Sequence, residues 1–259
     1  MDLQLSGKTA LVTGGTAGIG LAIAKRLAQE GAAVVIPGRS GAKVDAAVAE
    51  IGRAARGVEA DVATAKGAEA LHAAVPEVDI LVNTLGIYES KEFAAITDDD
   101  WRRFFEVNVL SGARLSRLYF PGMLARDWGR VIFVASESAV MVPPDMIHYG
   151  MTKTAQLAIS RGLAGLTKGS KVTVNSVMPG PTRSEGIVDF LKSVASDPDS
   201  SAEEIEKEFF EKARPSSLIQ RMIEADEIAT LVAYLASPLS SATNGAALRV
   251  DGGLTPTVV

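Results

Sequence analysis

No cysteine occurs anywhere in the 259 residues, which excludes disulfides, a thiolate nucleophile and any cysteine-held metal. No other metal-ligand set is read from the chain. Aromatic residues make up only 5% of it, while Ala, Val and Gly are plentiful, and that balance favours closely packed α/β layers over an aromatic-rich sandwich. Lys and Arg form no run, and a formal charge of -5 with a pI near 5.2 gives no electrostatic footprint for nucleic acid. No apolar stretch approaches the ~20 residues needed to cross a bilayer. The opening "MDLQLSGKTALVTGG" has no basic segment followed by a long apolar run, so it does not read as a signal peptide. A soluble, cytoplasmic protein with small-molecule partners is expected, without nucleic acid or membrane.

Short runs of Val, Ile and Leu recur along the chain: "TALVTG" (9–14), "AAVVIPG" (32–38), "RGVEAD" (56–61), "DILVNTLG" (79–86), "GRVIFVAS" (129–136), "KVTVNSVMPG" (171–180) and "AALRVDGG" (246–253). Helical periodicity fills the intervals, as in Ile19, Ile23 and Leu27 before Gly31. Continuous apolar strands alternating with helices predict a doubly wound parallel sheet of about seven strands, covered on both faces, in one domain spanning 1–259. Thr97 with Asp100 resembles a capping box, and the helix it opens continues through Asn108. Pro143 and Pro144 place the start of a later helix just before Tyr149, and its pattern runs to Gly169. A long interval after Pro179 and Pro181, residues 185–215, interrupts the alternation and carries an acidic amphipathic piece at 202–213. An insertion of that length in a compact domain suggests a lid over a substrate; a solvated surface helix is the plainer reading of its charge.

"TGGTAGIG" (13–20) follows the first strand and opens the first helix. Gly14, Gly18 and Gly20 allow backbone to approach a pyrophosphate, whose charge the free N–H groups and dipole of the helix start stabilise. At the end of the second strand, where a carboxylate would bind the 2'-hydroxyl of an adenosine ribose, stand Gly38, Arg39 and Ser40. A guanidinium there accepts a 2'-phosphate bidentately, so NADP(H) is favoured and NAD(H) remains possible.

"HYGMTK" (148–153) sets Tyr149 and Lys153 one helical turn apart. An ammonium near a phenol favours the phenolate, so the lysine can lower the tyrosine pKa and also reach a nicotinamide ribose. Such a pair is also a common solvated strip. Ser136 alters that balance, because it ends a strand thirteen residues before Tyr149, at the sheet edge where ligands of open α/β sheets bind. Ser138 competes for the same role from two residues deeper in the loop, and Ser136 is preferred.

Taken in order, these residues resemble the short-chain dehydrogenase/reductase family over nearly the whole chain. "TGGTAGIG" is similar to its glycine motif, "NTLG" (83–86) to its fourth-strand signature, "PGPTRS" (179–184) to its nicotinamide-amide turn and "DGG" (251–253) to its last-strand ending. The resemblance implies catalysis by Asn108, Ser136, Tyr149 and Lys153, with hydride passing between nicotinamide and a carbonyl carbon while Tyr149 transfers the proton, Ser136 polarises the substrate oxygen and Asn108 holds a water linking Lys153 to solvent. It further implies cofactor contacts from Gly14, Thr16, Gly18, Ile19, Gly20, Asp61, Val62, Asn83, Gly86, Tyr149, Lys153, Pro179 and Gly180, with Thr182 and Ser184 both able to meet the carboxamide. A homotetramer is implied in the same way. Two departures stand out: Thr84 and Leu85 replace the usual Asn-Ala, and Ala17 replaces the basic residue that often precedes Gly18 in NADP-dependent members.

The substrate pocket is expected from the loops after Ser136 and Gly86 and from the 185–215 insertion. Met141, Met146 and Phe190 would supply apolar surface; Glu137, Tyr88 and His148 would add polarity, with His148 more naturally a bystander to Tyr149. The reading is an NADP(H)-dependent oxidoreductase of carbonyls or secondary alcohols. A 3-oxoacyl-carrier-protein reductase is the alternative, with Arg102, Arg103, Arg114 and Arg117 as the only basic side chains near a docking face. A non-catalytic NADP-binding regulator is the alternative of another class, opposed by the intact Ser136, Tyr149 and Lys153.

Overall fold

The computed structural model describes residues 1–184, 187, 191–192 and 195–258. Its seven strands are β1 (Thr9–Val12), β2 (Ala33–Gly38), β3 (Ala55–Glu59), β4 (Ile80–Asn83), β5 (Gly129–Val134), β6 (Val172–Pro179) and β7 (Ala247–Val250), in one sheet of order β3-β2-β1-β4-β5-β6-β7. Every neighbouring pair is parallel, as the uninterrupted apolar runs predict. β4, β5 and β6 are buried along their whole length, whereas the edge strand β3 is largely exposed. The order reverses between β1 and β4, and in such sheets the crevice beyond the strand ends at that point is where ligands bind.

Helices α1 (Gly18–Gln29), α2 (Gly41–Ile51), α3 (Ala65–Ala74), α4 (Asp98–Phe105), α5 (Ser111–Ala125) and α6 (Ile147–Gly165) follow in order, then α7 (Ala202–Lys212) and α8 (Ala225–Ala236). One core layer joins Ile23 and Leu27 of α1 to Ile228, Val232 and Leu235 of α8 across β1 and β4. The opposite layer joins Leu71 of α3 to Leu115, Tyr119 and Met123 of α5. Among the described residues, no helix is long and apolar enough to cross a membrane, and no group of His, Asp and Glu could hold a metal ion.

Three departures from the sequence reading have local causes. The capping box of Thr97 and Asp100 does open α4, but the continuation is a π-helical turn, Glu106–Leu110, before α geometry resumes at Ser111. Helix α6 ends at Gly165 rather than Gly169, because the Thr167 hydroxyl takes the Ala164 carbonyl and the chain turns to Gly169 at φ 82. The acidic segment is not a wholly solvated helix: Ile205, Phe209 and Phe210 of α7 are buried with Leu191 and Met222 in a small core of their own. Phe190 lies outside the described residues.

Phe104 connects these layers to α6. It is fully buried, and its ring lies 4.1 Å from the His148 imidazole, with Trp101 on another side at 6.1 Å. Truncating Phe104 to Ala should cost about 3–5 kcal/mol of stability. Chemical denaturation would check this, and a loss below about 1 kcal/mol would mean that the cluster does not brace α6.

Candidate active site

The glycine turn is shaped by backbone approach. Gly14 and Gly18 sit at φ 62 and 53, a region that L side chains avoid. A Cβ added at Gly20 would lie 2.2 Å from the Gly14 carbonyl oxygen, and one at Gly14 would press on the Leu85 backbone at 3.3 Å. Helix α1 begins after Ala17 with no side-chain cap and no acidic residue in its first turn, so its N–H groups and dipole face outward toward an anion. The turn is fastened by Thr13, which sequence reading did not single out. Its hydroxyl donates to the Val82 carbonyl at 3.3 Å and accepts from Thr84 N and Leu85 N at 2.9 and 3.1 Å. These bonds run through the backbone of Thr84 and Leu85, so the unusual side chains there leave the junction intact.

A cavity of about 450 Å³ runs from this turn across the strand ends. It brings together Gly14, Gly18, Ile19 and Gly20 at one end with Ser136, Tyr149 and Lys153 at the other. Gly86 borders it from β4's end, and Pro179, Gly180, Thr182 and Ser184 from β6's end. Thr16, Asn83 and Asn108 lie behind this lining. Asn83 is buried, and its Nδ2 donates to Ser116 Oγ at 3.4 Å. Thr16 is half-buried beside the turn, its methyl 3.2 Å from where a Gly38 side chain would start.

At the adenosine end, Arg39 is exposed and makes no ion pair or hydrogen bond among the described residues, with Ser40 next to it at the start of α2. Asp61 is exposed and Val62 buried just beyond β3, and the Asp61 carbonyl receives Thr64 N and Oγ1. A further charge is present here. Glu59, paired in register with Gly38, brings its carboxylate to within 2.8 Å of the position a Gly41 side chain would take.

At the reacting end, Lys153 is buried and donates to the Val134 carbonyl at 3.0 Å and to Gln156 Oε1 at 3.3 Å. Burial depresses its pKa to about 8, against a smaller opposing pull from Glu137. Tyr149 behaves differently from expectation. Its pKa is raised, first by burial and then by the Glu137 charge, while hydrogen bonding from Ser136 pulls the other way. The Lys153 ammonium lies 5.6 Å from the phenol ring centroid, turned to its own carbonyl partners, so this arrangement keeps the tyrosine protonated. Ser136 Oγ donates to Glu137 Oε2 at 2.5 Å and accepts from Ser138 N at 3.1 Å. Ser138 Oγ turns to Glu137 Oε1 at 3.3 Å.

Asn108 is fully buried in the π turn. Its side chain grips the backbone of Ile87 twice, accepting from N at 2.8 Å and donating to O at 2.9 Å, and also donates to Thr152 Oγ1 at 3.0 Å. Its main-chain carbonyl accepts from Gln156 Nε2 at 2.5 Å. Gln156 therefore joins the Asn108 carbonyl to Lys153 directly; its place one turn after Lys153 is the only signal sequence offered. His148 faces the Phe104 cluster, away from the cavity, and burial lowers its pKa. Met146, Tyr88 and Glu137 do line the cavity, and Met141 does not. Phe209 and Arg214 reach it from α7 and the residues after it.

A glycine turn joined by one cavity to a serine, a tyrosine and a lysine at the strand ends is the arrangement expected of a dinucleotide-dependent oxidoreductase. The sequence pattern of the family described as short chain dehydrogenase matches residues 8–192. The uncharacterized oxidoreductase YvaG of Bacillus subtilis (strain 168) is 52% identical over 265 residues, covering 100% of each chain. The 3-oxoacyl-[acyl-carrier-protein] reductase FabG of Aquifex aeolicus (strain VF5) is 31% identical, covering 98% of this chain and 100% of its own. Among solved structures, L-sorbose reductase from Gluconobacter frateurii, complexed with NADPH and L-sorbose, superposes with a TM-score of 0.91 at 30% identity over 100% of both chains. The chain belongs to the short-chain dehydrogenase/reductase family of oxidoreductases.

Gln156→Leu removes the partner of both the Asn108 carbonyl and Lys153, and should cost about 1–3 kcal/mol of stability. Thermal and denaturant unfolding would measure it. An unchanged midpoint would mean that water or a shifted Lys153 replaces the amide without loss.

Proposed function

We propose that this chain is an NADP(H)-dependent carbonyl reductase in which Tyr149 donates the proton. The observation that carries this reading is the protonated Tyr149 phenol beside the Ser136 hydroxyl in a cavity continuous with the dinucleotide turn. A bound nicotinamide would supply the hydride that the carbonyl carbon takes up. Ser136 directs its hydroxyl at the substrate oxygen, and Tyr149 delivers a proton to that oxygen as the C–O bond becomes an alcohol. A phenol with a raised pKa is a poor base but holds the proton that an alkoxide-like oxygen needs, which supports reduction as the working direction. Lys153 stabilises the phenolate that the transfer leaves behind. Gly14, Gly18, Gly20 and the α1 start would hold the pyrophosphate, with Pro179, Gly180, Thr182 and Ser184 near the carboxamide. Phe209 and Arg214 line the cavity, which supports the reading of the 185–215 insertion as a lid over the substrate end.

Arg39 supports NADP(H), as does the NADPH held by the related L-sorbose reductase. Glu59 opposes it. The carrier-protein reductase reading draws on the likeness to FabG but finds little support at the docking face. Arg102 pairs with Asp98 and Asp99, Arg103 with Glu89 and Asp100, and Arg114 with Glu106, which leaves little free positive charge for an acidic partner.

Tyr149→Phe should lower carbonyl reduction by about 10²–10⁴-fold while NADPH binding persists; turnover near the wild-type rate would remove Tyr149 from proton transfer. The charged form of Lys153 prevails below its pKa of about 8, so kcat/KM for reduction should fall as pH rises through that region, and a profile flat to pH 10 would contradict its role. Calorimetric titration should give tighter NADPH than NADH binding, with the preference lost in Arg39→Ala and enlarged in Glu59→Gln. Equal affinities in the wild type would overturn the cofactor assignment.

A further inference from the structure

We propose that the substrate is an α-hydroxyketone, and that Glu137 and Arg214 together read its hydroxyl. The inference rests on the reductase reading of the same site and specifies what enters it. Glu137 is 5% exposed and lines the cavity directly after Ser136, in the short turn Glu137–Ala139. Burial pushes its carboxyl pKa up, and the ionised form is held there by its donors and by Arg214. Two side-chain hydroxyls donate to it, Ser136 at 2.5 Å on Oε2 and Ser138 at 3.3 Å on Oε1, and Arg214 Nε stands 4.0 Å from Oε1 as an ion pair too long for a hydrogen bond.

The Ser136 bond is the shortest of these, and it cannot survive substrate binding. A hydroxyl has one proton to donate. When Ser136 turns that proton to the carbonyl oxygen, Glu137 Oε2 loses its donor in a place where water is scarce. Arg214 presents the complementary deficit. Its Nη1 donates to the Ala213 carbonyl, while its Nε, ion-paired with Glu137 Oε1 at 4.0 Å, is buried without a hydrogen-bond partner, and the residue lines the same cavity. One group will want a donor and the other wants an acceptor, and a hydroxyl is both.

A hydroxyl on the carbon next to the carbonyl is held beside the oxygen that Ser136 and Tyr149 address, so it meets Glu137 at the vacated Oε2. An ethyl group in that place leaves both protein groups unmet. A carboxylate there would satisfy Arg214 but repel Glu137. Leaving one buried polar partner unpaired corresponds to a factor of about 5 to 150 in transition-state binding, large enough to sort these substrates.

The test uses three ketones of nearly equal size with the full chain and NADPH: 1-hydroxypropan-2-one, butan-2-one and pyruvate. The hydroxyketone should exceed the other two in kcat/KM by about tenfold or more. In Glu137→Gln, which preserves shape, the ratio to butan-2-one should fall severalfold; in Glu137→Leu it should approach one. Should the leucine variant fail to fold, the glutamine variant still decides. Tyr149-dependent turnover with no preference in the wild type, or with a preference unmoved by the Glu137 substitutions, overturns the inference and leaves the reductase reading standing. Turnover of none of the three ketones overturns the inference, and turnover that persists in Tyr149→Phe overturns the Tyr149 reading on which it rests.

Discussion

The site depends on one hydroxyl at the point where the strand order reverses. Thr13 ends β1, and through a donated bond to Val82 and accepted bonds from Thr84 and Leu85 it holds the ends of β1 and β4 in a fixed relation. The glycine turn on one side and the 84–87 backbone on the other are both set by that junction. Asn108 then grips Ile87 N and O, and Gln156 grips Asn108 O. Lys153 is bonded to Gln156 and to the end of β5. A set of buried and part-buried hydrogen bonds, joined by the 84–87 backbone, thus links the glycine-turn end of the cavity to the Tyr149 end.

Electrostatics at the reacting end follow from that dryness. In water the charge of a lysine one turn away would be the leading influence on a tyrosine. Here the loss of hydration is the leading influence on both groups, moving the phenol up and the ammonium down. The two therefore rest as a protonated acid and a readily titrated cation. Glu137, whose own carboxyl pKa is pushed up by burial, favours the same resting state in its ionised form and accepts the Ser136 hydroxyl proton.

Much of this was legible in the sequence, for reasons that differ by element. The parallel sheet and its number of strands were accessible because fully buried strands leave unbroken apolar runs, and the glycine turn because Gly is favoured where φ is positive, as at 14 and 18, or where backbone crowds the Cβ, as at 20. The adenosine end was readable only in part: Arg39 stands where a local motif points, whereas Glu59 arrives from the neighbouring strand. Thr13, Gln156 and Arg214 carry no periodicity or motif of their own, and their significance appears only when distant segments meet. The π turn was invisible because its wider hydrogen-bond spacing has no residue signature. The sign of the Tyr149 shift was missed because spacing reports a neighbour's charge but not the dehydration around it.

The π turn at 106–110 also makes the length of this segment part of the site. A π turn holds one residue more than the α geometry on either side of it, and one residue of α-helix corresponds to a rotation of about 100°. Substitutions there can alter a bond, but a deletion would let α4 and α5 merge into a regular helix. Either Asn108 would then swing away from Ile87 and Gln156, or the buried face of α5, with Leu115 and Tyr119, would turn out of its core. The geometry of this stretch therefore depends on residue count as well as residue type, and insertions or deletions that surface loops absorb would here be transmitted to α6 through Gln156.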